Sequence, residues 1–192
     1  MSLRGSMESK SLAAAGRIAM VSAILTLPLS LLSIMLTERH DDFARAGQLA
    51  LQWSGTLIFL VLMLLFRRFL VANCRFGKAN GIINALILLN LLYAAISSYT
   101  EYLPQGDERL APIITGLIVL LGLLQTGLGI RLLRLENDLG GMKRPYCWLN
   151  ILTGVFLASI LLVPIGIVVS AISDVMLGTI FFHEARRLAP PP

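Results

Sequence analysis

The stretch YCWLNILTGVFLASILLVPIGIVVSAISDVMLGTIFFHEA, Tyr146–Ala185, decides the architecture of this chain. It holds 40 residues. As one helix it would run about 60 Å, twice the roughly 30 Å of a bilayer's hydrocarbon core. The run therefore turns back on itself or leaves the apolar layer. Pro164 and Gly166 stand near its middle, where a missing N–H and a missing Cβ both favour a bend. The sequence predicts a tight hairpin at Pro164–Gly166, between spans at 146–163 and 165–185.

Four further stretches have the length and apolarity of a crossing: 17–37, 48–70, 79–99 and 110–133. The expected fold is an all-α integral membrane protein, a bundle of about six transmembrane helices with short loops. A single polytopic domain covers 17–185, between tails at 1–16 and 186–192. The opening MSLRGS precedes a second methionine, Met7, and is left out of the functional reading. Composition agrees with this class. Of 192 residues, 14% are charged, where soluble domains carry about 25%, and the mean hydropathy is +0.79. The first span is too long for a signal-peptide core and is read as retained.

The charges orient the spans. With a cytoplasmic N-terminus, the inner side receives Arg4, Lys10, Arg17, Arg67, Arg68, Arg75, Lys78, Arg131, Arg134, Lys143, Arg144, Arg186 and Arg187. The outer loops hold Arg39, Arg45 and Arg109 beside Glu38, Asp41, Asp42, Glu101, Asp107 and Glu108. Lys/Arg bias in short loops sets topology, so six spans with both termini cytoplasmic is the expected arrangement. Trp53, Tyr99 and Tyr102 are expected at the outer interface, and Phe66, Tyr146, Trp148, Phe181 and Phe182 at the inner one. The inner basic loops are expected to meet anionic lipid headgroups. They form no continuous basic face, which argues against nucleic acid.

Polar residues inside spans point toward protein, because lipid offers them no partner. Ser22, Thr26, Ser30, Ser33 and Thr37 recur at spacings of four, four, three and four, on one face of span one. That stripe suits either close helix packing or a polar path. Gly122, Thr126 and Gly129 on span four, Asn150, Gly154 and Ala158 on span five, and Gly178 on span six are read as packing positions. Their partner helix can belong to this chain, to a second copy or to another membrane subunit. Thr26, Asn90, Gln125 and Asp174 all fall near mid-span and are expected to form one polar layer. The segment LIFLVLMLLF, Leu57–Phe66, lacks polar groups and is expected to face lipid.

Asp174 shares a helix face with Ser170 and Gly178, with Ser173 beside them. An ionised carboxylate at mid-bilayer costs a few kcal/mol even on lenient scales, so it is expected to face the bundle interior. It is expected to be neutral and hydrogen-bonded across a seam, or paired with a cation or a ligand amine. His40 and His183 lie near the surfaces and supply no counter-charge. They make no spaced pair for haem or zinc, and no HExxH, GxSxG or P-loop motif occurs. No cofactor, metal or catalytic site is expected. LENDLGG, Leu135–Gly141, reads as a solvated helix end stopped by Gly140 and Gly141. Cys74 and Cys147 both fall on the reducing side, so no disulfide is expected.

Two loops, RRFLVANCRFGKANG and RLLRLENDLGGMKRPY, share a basic start, a glycine and a following asparagine, Asn84 or Asn150. They fit either an internal hairpin repeat or two turns under the same demands. Two functions follow from the residues. The packing seams favour a non-enzymatic subunit, scaffold or regulator that packs within a membrane complex. The alternative is a small proton- or cation-coupled transporter or channel that uses Asp174 with Asn90 and Gln125.

Overall fold

A computed structural model of the chain describes residues 7–37, 42–100 and 110–189. Among these residues the protein is all-helical, with α1 (Ser9–Thr37), α2 (Asp42–Ala72), α3 (Asn80–Thr100), α4 (Ala111–Leu132), α5 (Lys143–Ala158) and α6 (Val163–Arg187). Five of them, all but α5, are long and apolar enough to cross a membrane. At 16 residues, α5 reaches about 24 Å. Arg4, Glu38, Arg39, His40, Asp41, Glu101, Tyr102, Asp107, Glu108 and Arg109 lie outside the described residues.

The helices form a closed ring in chain order, each packed on its sequence neighbours, with α6 returning to α1. Their backbones approach only between ring neighbours, so long side chains must fill the centre. They do so in one half of the bundle. Leu12, Phe66, Phe69, Ile83, Leu86, Leu128, Leu132, Tyr146, Leu177 and Phe181 are fully buried there. Phe66 meets Tyr146 edge-on at 5.7 Å between centroids, and Phe69 meets Phe181 at 5.5 Å. The start of α1 and the end of α6 lie in this same half. Ser9 Oγ donates to the Ala185 carbonyl (2.8 Å), and the Met7 N–H donates to Asn73 Oδ1 (3.2 Å).

Two of the ring's interfaces are made by small residues. On α4 and α5, a Cβ added to Gly122 would stand 2.6 Å from the Ala158 nitrogen and the Gly154 carbonyl. One added to Gly154 would collide with Thr126 and the Gly122 carbonyl. Gly129 likewise abuts Ile151 and the Cys147 carbonyl. On α1 and α6, Ala15, Ala19 and Ala23 recur every fourth residue and are buried, and Gly178 lies against the Gly16 carbonyl and Met20. Both small-residue seams are therefore used inside the chain. Close approach of this kind gathers many weak dispersion contacts, which is what holds helices together where lipid removes the hydrophobic gain.

The outer surface is apolar. Leu57 is 62% exposed and Leu161 90% exposed, with Ile24, Leu31, Leu88 and Leu123 similarly placed. Water would penalise so continuous a hydrocarbon surface. It is compatible with a multi-pass membrane protein.

The predicted turn at Pro164–Gly166 moves upstream. The chain reverses at Ser159–Leu162, where Ser159 Oγ donates to the Phe156 carbonyl (2.8 Å) and accepts the Leu162 N–H (3.3 Å). Ile160 takes a positive φ of 59° in this turn. Pro164 lies in the first turn of α6, where a helix needs no N–H from it. Gly166 is buried in the hairpin, with Phe156 and Leu157 across from it.

A second correction concerns Gly140 and Gly141. Helix α4 ends at Leu132, and the glycines turn the chain into α5 with φ of 67° and 82°. The intervening loop is anchored by Leu135 and Leu139, both buried in the core. Glu136 and Asp138 are exposed, as expected, but they stand in this loop rather than at a helix end.

Leu57–Phe66 also differs from its expected place, since Leu62, Met63 and Phe66 are buried. Apolar side chains suit protein and lipid alike, so the absence of polar groups does not assign a face. Phe66, Tyr146 and Phe181 are core residues rather than an interfacial belt, while Trp148 and Tyr99 are exposed.

Gly154→Leu is expected to destabilise the fold by about 2–4 kcal/mol through overpacking of the α4–α5 seam. Gly116→Ala has open space beside it and is expected to be neutral or stabilising by about 0.5–1 kcal/mol. Thermal unfolding in detergent, followed by size-exclusion elution, separates the two.

Candidate functional site

The polar residues form a different layer from the one expected. On α6, consecutive Ser173 and Asp174 face two different neighbours. Asn150, buried on α5, donates from Nδ2 to Ser173 Oγ (3.3 Å) and to the Tyr146 carbonyl (2.9 Å). Its Oδ1 accepts from Gln125 Nε2 on α4 at 2.7 Å. On the other side, Ser22 of α1 donates from Oγ to Asp174 Oδ2 at 2.8 Å. Gln125, Asn150, Ser173, Asp174 and Ser22 therefore lace four helices together, α4–α5–α6–α1. Each buried polar group here gains a partner that lipid could not offer.

Asn90 does not join them. It lies on α3, which packs on α2 and α4 and not on α6. Its buried Oδ1 has no hydrogen-bond partner among the described residues. Thr26 does not reach the layer either, because its hydroxyl donates to the Ser22 carbonyl at 2.8 Å. The expected grouping of Thr26, Asn90, Gln125 and Asp174 reduces to Gln125 and Asp174, joined through Asn150 and Ser173. Asn150, read from sequence as a packing residue, is the hub. Asn84 has another role: it is exposed and accepts from Arg67 Nη1 at 2.9 Å.

Beyond Ser22, in the half away from the start of α1 and the end of α6, a cavity of about 520 Å³ lies between α1, α2 and α3. Ser22, Thr26, Ser30 and Ser33 line one wall, Gln48 and Gln52 of α2 another, with Tyr93 and Ser97 of α3. Helix α6 contributes Ile167. Asp174 lies two turns further along the same α6 face, past Ser170. The hydroxyl stripe of α1 thus lines a cavity as far as Ser33. The α2 and α3 walls were missed in sequence, although Gln48/Gln52 and Tyr93/Ser97 each recur at spacing four. Gln52 Nε2 donates to the Ala94 carbonyl (3.2 Å) and Trp53 Nε1 to Ser98 Oγ (3.0 Å), which ties α2 to α3 beside the cavity.

At the termini end, Glu184 is buried at 4% exposure, with Arg187 at 3.4 Å. Cys74 lies nearby in the loop after α2. Burial pushes its thiol up to about 11, and the Glu184 charge adds to this while the Asn137 hydrogen bond and Arg187 oppose it. Among the described residues no group of His, Cys, Asp or Glu could hold a metal ion.

Five apolar helices of bilayer length around a partly polar interior are compatible with a multi-pass helical membrane protein. Comparison with protein families, characterised proteins and solved structures finds no significant match.

Asn150→Ala leaves Gln125 and Ser173 without their shared partner. The expected loss is about 1–3 kcal/mol. The Gln125→Ala/Asn150→Ala pair is expected to cost less than the sum of its singles in denaturation in micelles. In a Cys147→Ala background at pH 8, maleimide is expected to label Cys74 about two orders of magnitude more slowly than an ordinary surface thiol, because only the thiolate reacts. The labelling rate should climb as pH rises toward 11, following the raised thiol.

Proposed function

We propose that the protein is a six-span membrane carrier for a small solute, with the cavity as its binding site and Asp174 as its coupling group. The observation that carries this reading is the division of the bundle: a cavity of about 520 Å³ over a carboxylate at one end, and a packed aromatic core at the other. Ligand sites typically measure about 300–1,000 Å³. A thick plug on one side of a polar cavity suits a carrier closed toward that side better than an open pore.

In this reading α5 and the Ser159–Leu162 turn complete the sixth crossing. The shared end of α1 and α6 lies in the cytoplasm by the positive-inside rule, and basic loops there meet anionic headgroups. The carboxylate beside the cavity accepts a proton or a cation as the solute loads.

The subunit reading loses its main support, since both small-residue seams are filled by helices of the same chain. What remains for it is Gly81 and Gly116, where an added Cβ would meet nothing and a foreign helix could dock.

Proteoliposomes loaded with a pH-sensitive dye and challenged with amines, neutral polyols and carboxylates test the carrier. Solute-driven proton movement above that of empty vesicles is expected for wild type and is expected to vanish in Asp174→Asn. Background flux for wild type with every solute would sink the carrier. Co-purification of a stoichiometric membrane partner after gentle solubilisation would then favour the subunit.

A further inference from the structure

The cavity's hydrogen-bond polarity specifies what it takes. A hydroxyl has one hydrogen to give and two lone pairs to receive with. Three hydroxyls of the α1 wall have already given theirs. Ser22 donates to Asp174 Oδ2 (2.8 Å), Thr26 to the Ser22 carbonyl (2.8 Å) and Ser30 to the Thr26 carbonyl (2.6 Å). Toward the cavity these three side chains offer acceptors only. Gln52 gives one of its two amide hydrogens to the Ala94 carbonyl, and its oxygen adds an acceptor to the wall.

Charge points the same way. The lining residues include no Lys, Arg or His, so an anion would find no counter-charge. The carboxylate of Asp174 stands directly behind Ser22, whose hydroxyl engages its Oδ2. On the α3 side, Asn90 lies one turn from Tyr93 behind the lining, its buried oxygen without a partner among the described residues. Tyr93 is also among the lining residues, and an aromatic ring attracts a cation that reaches its face.

Size separates an organic cation from a metal ion. A bare Ca²⁺ needs six to eight oxygens within about 2.6 Å, usually with carboxylates among them, and no carboxylate is among the lining residues. A cavity of about 520 Å³ accommodates an organic body as well as its charged group.

We propose that the cavity binds a small protonated amine, its N–H groups received by the acceptor wall of Ser22, Thr26 and Ser30 and its charge balanced by Asp174. This rests on the cavity being the solute site, as proposed above, and adds the chemical class.

The probes are benzylamine, benzyl alcohol and benzoate, which share one body and differ in charge and donors. Binding to purified protein in micelles is measured by equilibrium dialysis and by thermal stabilisation. Benzylamine is expected to bind at least about tenfold more tightly than benzyl alcohol, and benzoate not to bind, as one charged hydrogen bond contributes about that much. Asp174→Asn is expected to erase the amine's advantage while leaving benzyl alcohol within about twofold. Asp174→Glu, which keeps the charge, is expected to restore part of it and guards against a folding defect in the first variant.

Equal binding of all three probes, or a preference for benzoate, overturns the amine assignment and leaves the carrier reading standing. Failure of every probe also overturns the amine assignment, and the proteoliposome flux then decides the carrier reading independently.

Discussion

A carboxylate set within an apolar helix has to be answered from inside the bundle, and Ser22 answers Asp174. That single hydrogen bond demands that α1 and α6, the first and last helices, lie side by side. The demand is met by size. Ala15, Ala19 and Ala23 give α1 a smooth face, and Gly178 lets α6 come within contact of the Gly16 carbonyl. Small residues and the polar pair work together: the first set the distance, and the second needs that distance to exist. Once α1 and α6 are joined, chain order alone completes the ring, because every other neighbour pair is linked by a short connection.

A ring of helices whose backbones do not meet across the centre must fill that centre with side chains. The two halves do this differently. Phenylalanine, tyrosine and leucine fill the half that holds the chain ends, with edge-on pairs at 5.5 and 5.7 Å. Serine, threonine and glutamine occupy the other half, and their smaller or outward-bonded side chains leave space. Ser22 joins the two: it lines the cavity and binds Asp174, in the layer that includes Ser173, Asn150 and Gln125. That layer braces four helices and meets the cavity at Ser22.

Much of this was legible in the sequence. Helix number, approximate bounds and the apolar exterior follow from run length and hydropathy, because a bilayer-scale helix leaves a long, unambiguous signature. The α4–α5 seam was legible through Gly122, Thr126, Gly154 and Ala158, since small residues at spacing four have few other uses. The polar layer was legible only as a depth. Asn90 and Gln125 fall at similar positions along their spans, but which helices are neighbours is a property of the ring. Thus Asn150, nearer its span's end, displaced Asn90. The hairpin was misplaced for a local reason. Pro164 ends one helix as readily as it begins the next, and the sequence does not say which until Ser159 is seen holding the Leu162 N–H. Leu57–Phe66 illustrates a complementary limit: hydrocarbon against protein and hydrocarbon against lipid look the same in composition.

The acceptor character of the cavity wall has a cause that reaches beyond these particular residues. A hydroxyl on a helix surrounded by hydrocarbon finds its nearest acceptor in the carbonyl one turn back, and it gives its hydrogen there. Thr26 and Ser30 both do so. A stripe of Ser and Thr at spacing four therefore presents lone pairs to whatever space it borders, by default and without further design. Ser22 departs from the default, giving its hydrogen to Asp174 instead of the Ile18 carbonyl. The outcome toward the cavity is the same acceptor surface, now connected to a carboxylate. A donor-rich wall would have required arginine, lysine or free amide N–H groups, each far more expensive to hold at this depth. The cheapest polar lining that helices in lipid can build is one that receives hydrogen bonds, and a single aspartate behind it is enough to give that lining a preference for positive charge.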